Sequence, residues 1–154
     1  MIAFTKKLTA AIPSMLLFAS LSGVTTMSYA DVTNPNAPVS MTEKWDKTFA
    51  ESTKVAHRKV IFQNRYGISL VGDLYIPKNR AERKLAAIAV SGPFGAVKEQ
   101  SSGLYAQTLA ELGFVTLAFD PSYTGESGGY PRNVASPDIN TEDFSAAVDF
   151  LGLQ

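Results

Sequence analysis

Gly125-Glu126-Ser127-Gly128-Gly129 matches G-x-S-x-G, the pattern of a serine held on a tight strand-to-helix turn with its hydroxyl presented for attack on a carbonyl. The surroundings do not suit that role. Six residues, PSYTGE, separate Asp120 at the expected strand end from Ser127. Tyr130-Pro131-Arg132-Asn133 then prolong the loop where a helix should begin. A serine nucleophile needs a base, and the only histidine, His57, lies upstream in the first expected strand. We therefore read Ser127 as part of a Gly-rich loop that follows a parallel strand.

A second loop, Ser91-Gly92-Pro93-Phe94-Gly95, follows an apolar run at 85–90. A backbone N–H in such a loop can stabilise the oxyanion of a tetrahedral intermediate. Pro93 has no N–H to give, so Phe94 and Gly95 are the candidate donors. A plain strand-to-helix turn fits the same spacing, and both readings stay open here.

Other chemistries find less support. Gly92-x-x-Gly95 lacks the third glycine of a dinucleotide fingerprint, which leaves Asp120 as a lone acid where a ribose-binding one would stand. No cofactor is expected. Glu99, Glu126 and Asp138 show no metal-ligand spacing, so no metal site is expected either. Glu99 and Arg132 read as solvated loop charges, and His57, beside Arg58 and Lys59, as a surface or edge residue. No cysteine is present, which removes disulfides and thiol nucleophiles from this chain.

The elements that would position these loops follow from periodicity. Residues 57–63 and 68–77 read as a hairpin, the second run alternating apolar and polar positions. Asn64-Arg65-Tyr66-Gly67 supplies its turn. Residues 78–84 are a charged loop. The apolar runs at 85–90 and 114–119 read as parallel strands covered on both faces. Between them Ser101 or Ser102 can cap a helix reaching about Leu112, with Leu104, Tyr105, Thr108, Leu109 and Leu112 as its inner stripe. Asn140 is the expected cap of a second helix, with Asp143 completing a capping box and Phe144, Ala147, Val148 and Leu151 on one face. Residues 41–53 are weakly helical.

Residues 1–30 have the parts of a secretory signal: Lys6 and Lys7, an apolar stretch at 8–24, and Ser28-Tyr29-Ala30 before a cleavage site. Cleavage after Ala30 would direct the remainder to the periplasm or outside the cell. Pro13 and the short apolar core argue against a membrane anchor. The remaining 124 residues carry 12 basic and 14 acidic side chains, a net charge of −2 with no basic footprint for nucleic acid. Residues 31–54 form a linker and a weak helix, and 55–154 one small α/β domain.

This order of parts resembles the first half of the α/β hydrolases, nearest the dienelactone-hydrolase-like and X-prolyl-dipeptidyl-peptidase-like group. The resemblance rests on NRYGISLVGDLYIP, the strand with SGPFG, FVTLAFD, PSYTGESGG and AAVDFLGL. In that group the loop after the fourth strand reads D-x-x-G-x-G-x-S-x-G, which Asp120, Gly125 and Ser127 to Gly129 echo. SGPFG stands where H-G-x-x-G is frequent, with Ser91 in the histidine's place. The resemblance implies hydrolysis of an ester, lactone or amide by a Ser or Cys nucleophile with a His base. It covers residues 55–153 and stops before the nucleophile turn, so no catalytic triad residue has a counterpart here. The expectation is an N-terminal fragment, inactive alone. The alternatives are a non-catalytic periplasmic binding module and one half of a split hydrolase. The family's sheet order also implies that the strand at 85–90 is a bare edge, open to pairing or aggregation, and that the chain alone is insoluble or molten.

Overall fold

The structure, a computed structural model, describes residues 41, 42, 44–80 and 84–154. The expected secretory leader and linker at 1–40, position 43 and positions 81–83 of the charged loop lie outside the described residues. The elements run β1 (Val55–Gln63), β2 (Ser69–Pro77), β3 (Ala87–Val90), α1 (Ser101–Glu111), β4 (Val115–Phe119) and α2 (Pro137–Gly152). The strands form one sheet in the order β1-β2-β4-β3.

The hairpin is as its alternation predicts. β1 and β2 pair antiparallel from Val55 opposite Pro77 to Gln63 opposite Ser69. Gly67 takes φ 75° in the turn, a conformation glycine adopts without the Cβ clash that other residues meet. The Asn64 side chain organises this turn, its Oδ1 accepting the N–H groups of Tyr66 and Ile68 at 3.0 Å each. β2 lies between β1 and β4, and its two faces are buried in separate cores, Leu70 and Leu74 in one and Tyr75 in the other. β3 and β4 pair parallel from Ala87 opposite Val115 to Val90 opposite Ala118, as expected of a strand–helix–strand unit.

The alternation of β4 serves two cores. Val115, Leu117 and Phe119 face one side with Leu70, Leu74, Phe62 and the α2 residues Ala146, Ala147 and Leu151. Ala118 faces the other with Tyr75, Val55 and the α1 residues Ala106 and Ala110. The two helices therefore cover opposite faces of the sheet.

Both helices depart from the sequence reading in detail. α1 buries Ser102, Gly103, Ala106, Gln107 and Ala110, while Leu104, Tyr105 and Leu112 are exposed. The cause is close approach. A Cβ on Gly103 would run into the Lys98 carbonyl and stand 3.1 Å from the Phe49 ring. The helix thus seats its small residues on the sheet and turns the large ones outward. Gln100, not Ser101 or Ser102, is the N-cap residue. α2 begins a turn earlier than expected, capped at Ser136 with Pro137 in its first turn. Asn140 lies inside it, bonded through its N–H to the Ser136 carbonyl at 2.8 Å. Ala147 and Leu151 are buried as the stripe predicts, but Phe144 is 41% and Val148 59% exposed. Residues 41–53 are not helical in the described part; they form an irregular strap. Trp45 Nε1 donates to the Phe49 carbonyl at 2.8 Å, and the strap is tied to α1 by the Ser52 N–H and the Ala50 carbonyl, both bonded to the Gln107 side chain at 3.0 Å.

Candidate functional site

Two loops meet beyond the C-terminal ends of β3 and β4, where ligands bind in open α/β sheets. The loop after β3 carries Phe94 and Gly95. Its shape is set by Gly95 at φ 81° and by the Ala96 N–H bonded to the Pro93 carbonyl at 3.0 Å. Phe94 is 72% exposed. Ser91, at the base of this loop, donates its hydroxyl to the Phe119 carbonyl at 3.3 Å, joining the ends of the two strands.

Asp120 fastens the two loops together. Its Oδ1 accepts the Lys98 backbone N–H at 2.8 Å, and its Oδ2 takes the Lys98 ammonium at 2.8 Å and the Glu126 N–H at 3.0 Å. Lys98 and Asp120 are both fully buried. Burial disfavours the charged Lys98, but the charge of Asp120 and the hydrogen bonds to Asp120, Glu126 and Glu99 outweigh it, holding its pKa above the usual lysine range. Asp120 is thus fully buried and turned to the Lys98 ammonium and two loop N–H groups.

Ser127 is also accounted for. Its hydroxyl donates to the Asp120 carbonyl at 2.6 Å and accepts the Val71 N–H at 2.9 Å. The side chain bridges β2 to the end of β4 inside the protein, 2% exposed. A nucleophile must reach its substrate, so the G-x-S-x-G match is structural, as its position in the loop predicts. Tyr123 takes φ 72° in the same loop, at a position where the family pattern has glycine.

Several residues read as solvated prove to be held. Glu99 is bound by Lys98 at 2.6 Å and Lys59 at 3.7 Å. Glu126 is bound by both lysines at 2.7 Å. Arg132 donates to the carbonyls of Ser127 and Gly125, bracing the Gly-rich loop. His57 stands on the edge strand β1, as expected, but its side chain is held: its Nε2 lies 2.8 Å from Asp73 Oδ1, and its ring meets Trp45 edge-on at 5.2 Å. The carboxylates of Asp46, Glu99 and Glu126 come within 4.8 Å of one another, a cluster that spacing along the chain does not reveal. Lys59 and Lys98 already provide its positive charge. Burial raises the Asp46 pKa, but hydrogen bonds from Lys47 and Lys59 dominate and bring it down to about 2. Asp143, expected in a capping box, is buried instead. Its carboxylate accepts the Ser122 N–H, the Ser122 hydroxyl and the Asn64 amide, each at 2.8 Å, tying α2 to the hairpin turn.

A hairpin-led sheet of order β1-β2-β4-β3, with helices on opposite faces and a loop site above two parallel strands, is the N-terminal part of an α/β-hydrolase sheet. No protein-family model matches the sequence. Among curated proteins, it is 75% identical over 118 residues to the uncharacterised PA2218 of Pseudomonas aeruginosa, a match over 77% of this chain and 32% of that one. It is 51% identical over 98 residues to the uncharacterised YcjY of Escherichia coli, over 62% and 32% respectively. It is 32% identical over 94 residues to a thiohydrolase of Eupenicillium brefeldianum, over 61% and 29%. The chain thus spans about a third of the length of these relatives. The crystal structure of PA2218 superposes with TM-score 0.74 at 74% identity, over 76% of this chain and 36% of that one. The α/β hydrolase GrgF from a Penicillium species superposes with TM-score 0.54 at 28% identity, over 62% and 32%.

Proposed function

We propose that this chain is the N-terminal section of an exported α/β hydrolase that cleaves an ester, lactone or amide bond. Within that class its place is near the dienelactone-hydrolase-like and X-prolyl-dipeptidyl-peptidase-like group. The observation that carries the reading is the loop after β3, which offers Phe94 and Gly95 N–H groups beyond a parallel strand and is fixed by the Lys98–Asp120 pair. Preorganised N–H donors of this kind stabilise the oxyanion of acyl transfer. The likeness to a thiohydrolase supports the same class of chemistry.

In this reading the chain supplies oxyanion donors and one wall of the pocket. The substrate is a small molecule, and the nucleophile, its base and the orienting acid come from residues beyond the 154 described by this sequence. With no triad residue assigned within it and Ser127 buried, the chain alone is expected to be inactive toward esters. Among the described residues no helix is long and apolar enough to cross a membrane. Export rests on the leader at 1–30, and N-terminal sequencing of the secreted product beginning at Asp31 is its check.

The test of the hydrolase reading is a chimaera in which this chain continues into the part of PA2218 that follows the matched region. Turnover of p-nitrophenyl acetate is expected, reduced at least tenfold by Phe94→Pro, which removes a candidate N–H donor at the turn position before Gly95, where proline fits the backbone. A folded chimaera that hydrolyses no ester, lactone or amide, yet is stabilised by such a compound without converting it, would point to a binding module instead.

A further inference from the structure

The loop after β3 is held by its ends. Among the described residues, the only hydrogen bond that reaches positions 93–96 is internal, from the Ala96 N–H to the Pro93 carbonyl. Ser91 fastens the near end to the close of β4. The far end is fastened at Lys98, which Asp120 grips, and at Glu99. Where the Phe94 and Gly95 N–H groups stand therefore depends on what holds Glu99, a few residues further on.

Glu99 is held by the strap and by β1. Its carbonyl accepts the Thr48 N–H at 3.0 Å and the Thr48 hydroxyl at 3.2 Å. Its carboxylate lies 3.7 Å from Lys59 Nζ. The same Nζ donates to Asp46 of the strap at 2.9 Å and to Glu126 of the Gly-rich loop at 2.7 Å. The Thr42 N–H adds a bond to Glu126 at 3.3 Å. One ammonium on β1 thus ties the strap to both loops of the candidate site. The strap itself is firmly seated. Lys47 meets Asp73 at 3.0 Å with both side chains wholly buried, Trp45 packs edge-on against His57, and the Phe49 ring lies against Gly103 in the first turn of α1.

Neutralising charge does not require Lys59. Each carboxylate it touches has a second lysine: Lys47 on Asp46, and Lys98 on Glu99 and Glu126. What Lys59 adds is the join between the strap and the loops.

We propose that Asp46, Thr48 and Lys59 are positioning residues for the loop of Phe94 and Gly95, which makes the strap ahead of the sheet a working part of the oxyanion site. The proposal rests on the hydrolase reading, since it takes that loop as the donor of N–H groups to the oxyanion. Misplacing a positioned group by about 1 Å can cost about a hundredfold in rate. Bonds to a developing oxyanion act on the transition state more than on bound substrate, so the loss falls on kcat.

The test uses the chimaera with PA2218 described above. Lys59→Met breaks the join while leaving every carboxylate a lysine. It is expected to lower kcat for p-nitrophenyl acetate at least tenfold with KM within twofold. It should also speed amide exchange at Ala96 and Lys98 at least tenfold, with the amides of β2 unchanged. Asp46→Asn should act in the same direction more weakly, and Lys59→Arg should restore at least half of the parent kcat. Arg65→Met, which breaks the ion pair with Glu142 of α2, should leave kcat and loop exchange within twofold. A Lys59→Met variant with a lowered melting midpoint but unchanged kcat and loop exchange would overturn the proposal, as would equal effects of Arg65→Met and Lys59→Met. If Lys59→Met does not fold, Asp46→Asn decides by the same comparison. A parent chimaera that turns over no ester, with loop exchange still speeded by Lys59→Met, would support the strap's hold on the loop and count against the hydrolase reading.

Discussion

The carboxylate of Asp120 takes the backbone N–H of Lys98 on one oxygen and the Lys98 ammonium on the other, each at 2.8 Å. One residue at the end of β4 thus fixes both the course of the loop after β3 and the charge that neutralises it. Both side chains are fully buried, so neither has water to fall back on.

Removing either partner should therefore cost far more than a surface pair. Lys98→Met is expected to destabilise the domain by about 3–5 kcal/mol, because the buried Asp120 carboxylate loses its cation; Asp120→Asn should cost less, since Glu99 and Glu126 still hold the Lys98 ammonium. The double substitution should recover part of that loss. Urea denaturation of the complete chimaera measures all three, and additive losses in the double variant would show that the two residues are not coupled.

Ser127 divides a structural role from a chemical one. Ser127→Ala leaves the Val71 N–H without its acceptor and should lower stability by about 1–3 kcal/mol. Ester turnover by the folded chimaera should stay within twofold of the parent. Loss of turnover with an unchanged melting midpoint would restore Ser127 as a nucleophile.

Two glycines with positive φ should respond differently. At Gly125, φ 53°, an added Cβ would collide with the Asp120 carboxylate; at Gly95, φ 81°, it meets nothing within 4 Å. Gly95→Ala should cost only the backbone term, about 1–2 kcal/mol. Gly125→Ala should cost more, since it also displaces the clamp. Thermal melts of the two variants side by side decide this, and equal losses would contradict it.

The ionic cluster predicts the pH profile. The Asp46 and Glu126 pKa values are lowered in the folded state, each held down by lysine hydrogen bonds against the opposing effect of burial. Their stabilisation is therefore present above the ordinary carboxylate range, near 4, and is lost as pH falls toward the folded values, about 2 for Asp46. The raised Lys98 contributes below the ordinary lysine pKa of 10.5 and loses its contribution as pH rises through its folded value. Stability should be flat between about pH 5 and 10 and fall on both sides. Denaturation midpoints across that range test it, and a maximum confined to acid pH would be inconsistent.

Local pattern carried much of the fold. The alternation at 68–77 with Gly67 specifies a hairpin, and β1 and β2 pair antiparallel with Gln63 opposite Ser69; that both faces of β2 are buried is not legible in its alternation. The apolar runs with glycine-bearing loops specify parallel strands, and the interrupted context of Gly125–Gly129 was enough to read Ser127 as a loop residue. Helix orientation was less legible. Hydrophobicity placed Leu104, Tyr105 and Leu112 inside, but backbone proximity at Gly103 reserves the inner face of α1 for small residues.

The candidate site divides in the same way. Glycines, Pro93 and the strand ends are local signals, so the loop of Phe94 and Gly95 can be found from residue order alone. The clamp cannot, because Lys98 and Asp120 stand 22 positions apart, and Lys59 and Glu126 stand 67 apart. No periodicity links such residues. Only the parallel pairing of β3 with β4, and the strap that lays Asp46 against Lys59, brings their charges within hydrogen-bond reach, where exclusion of water makes the pairing decisive.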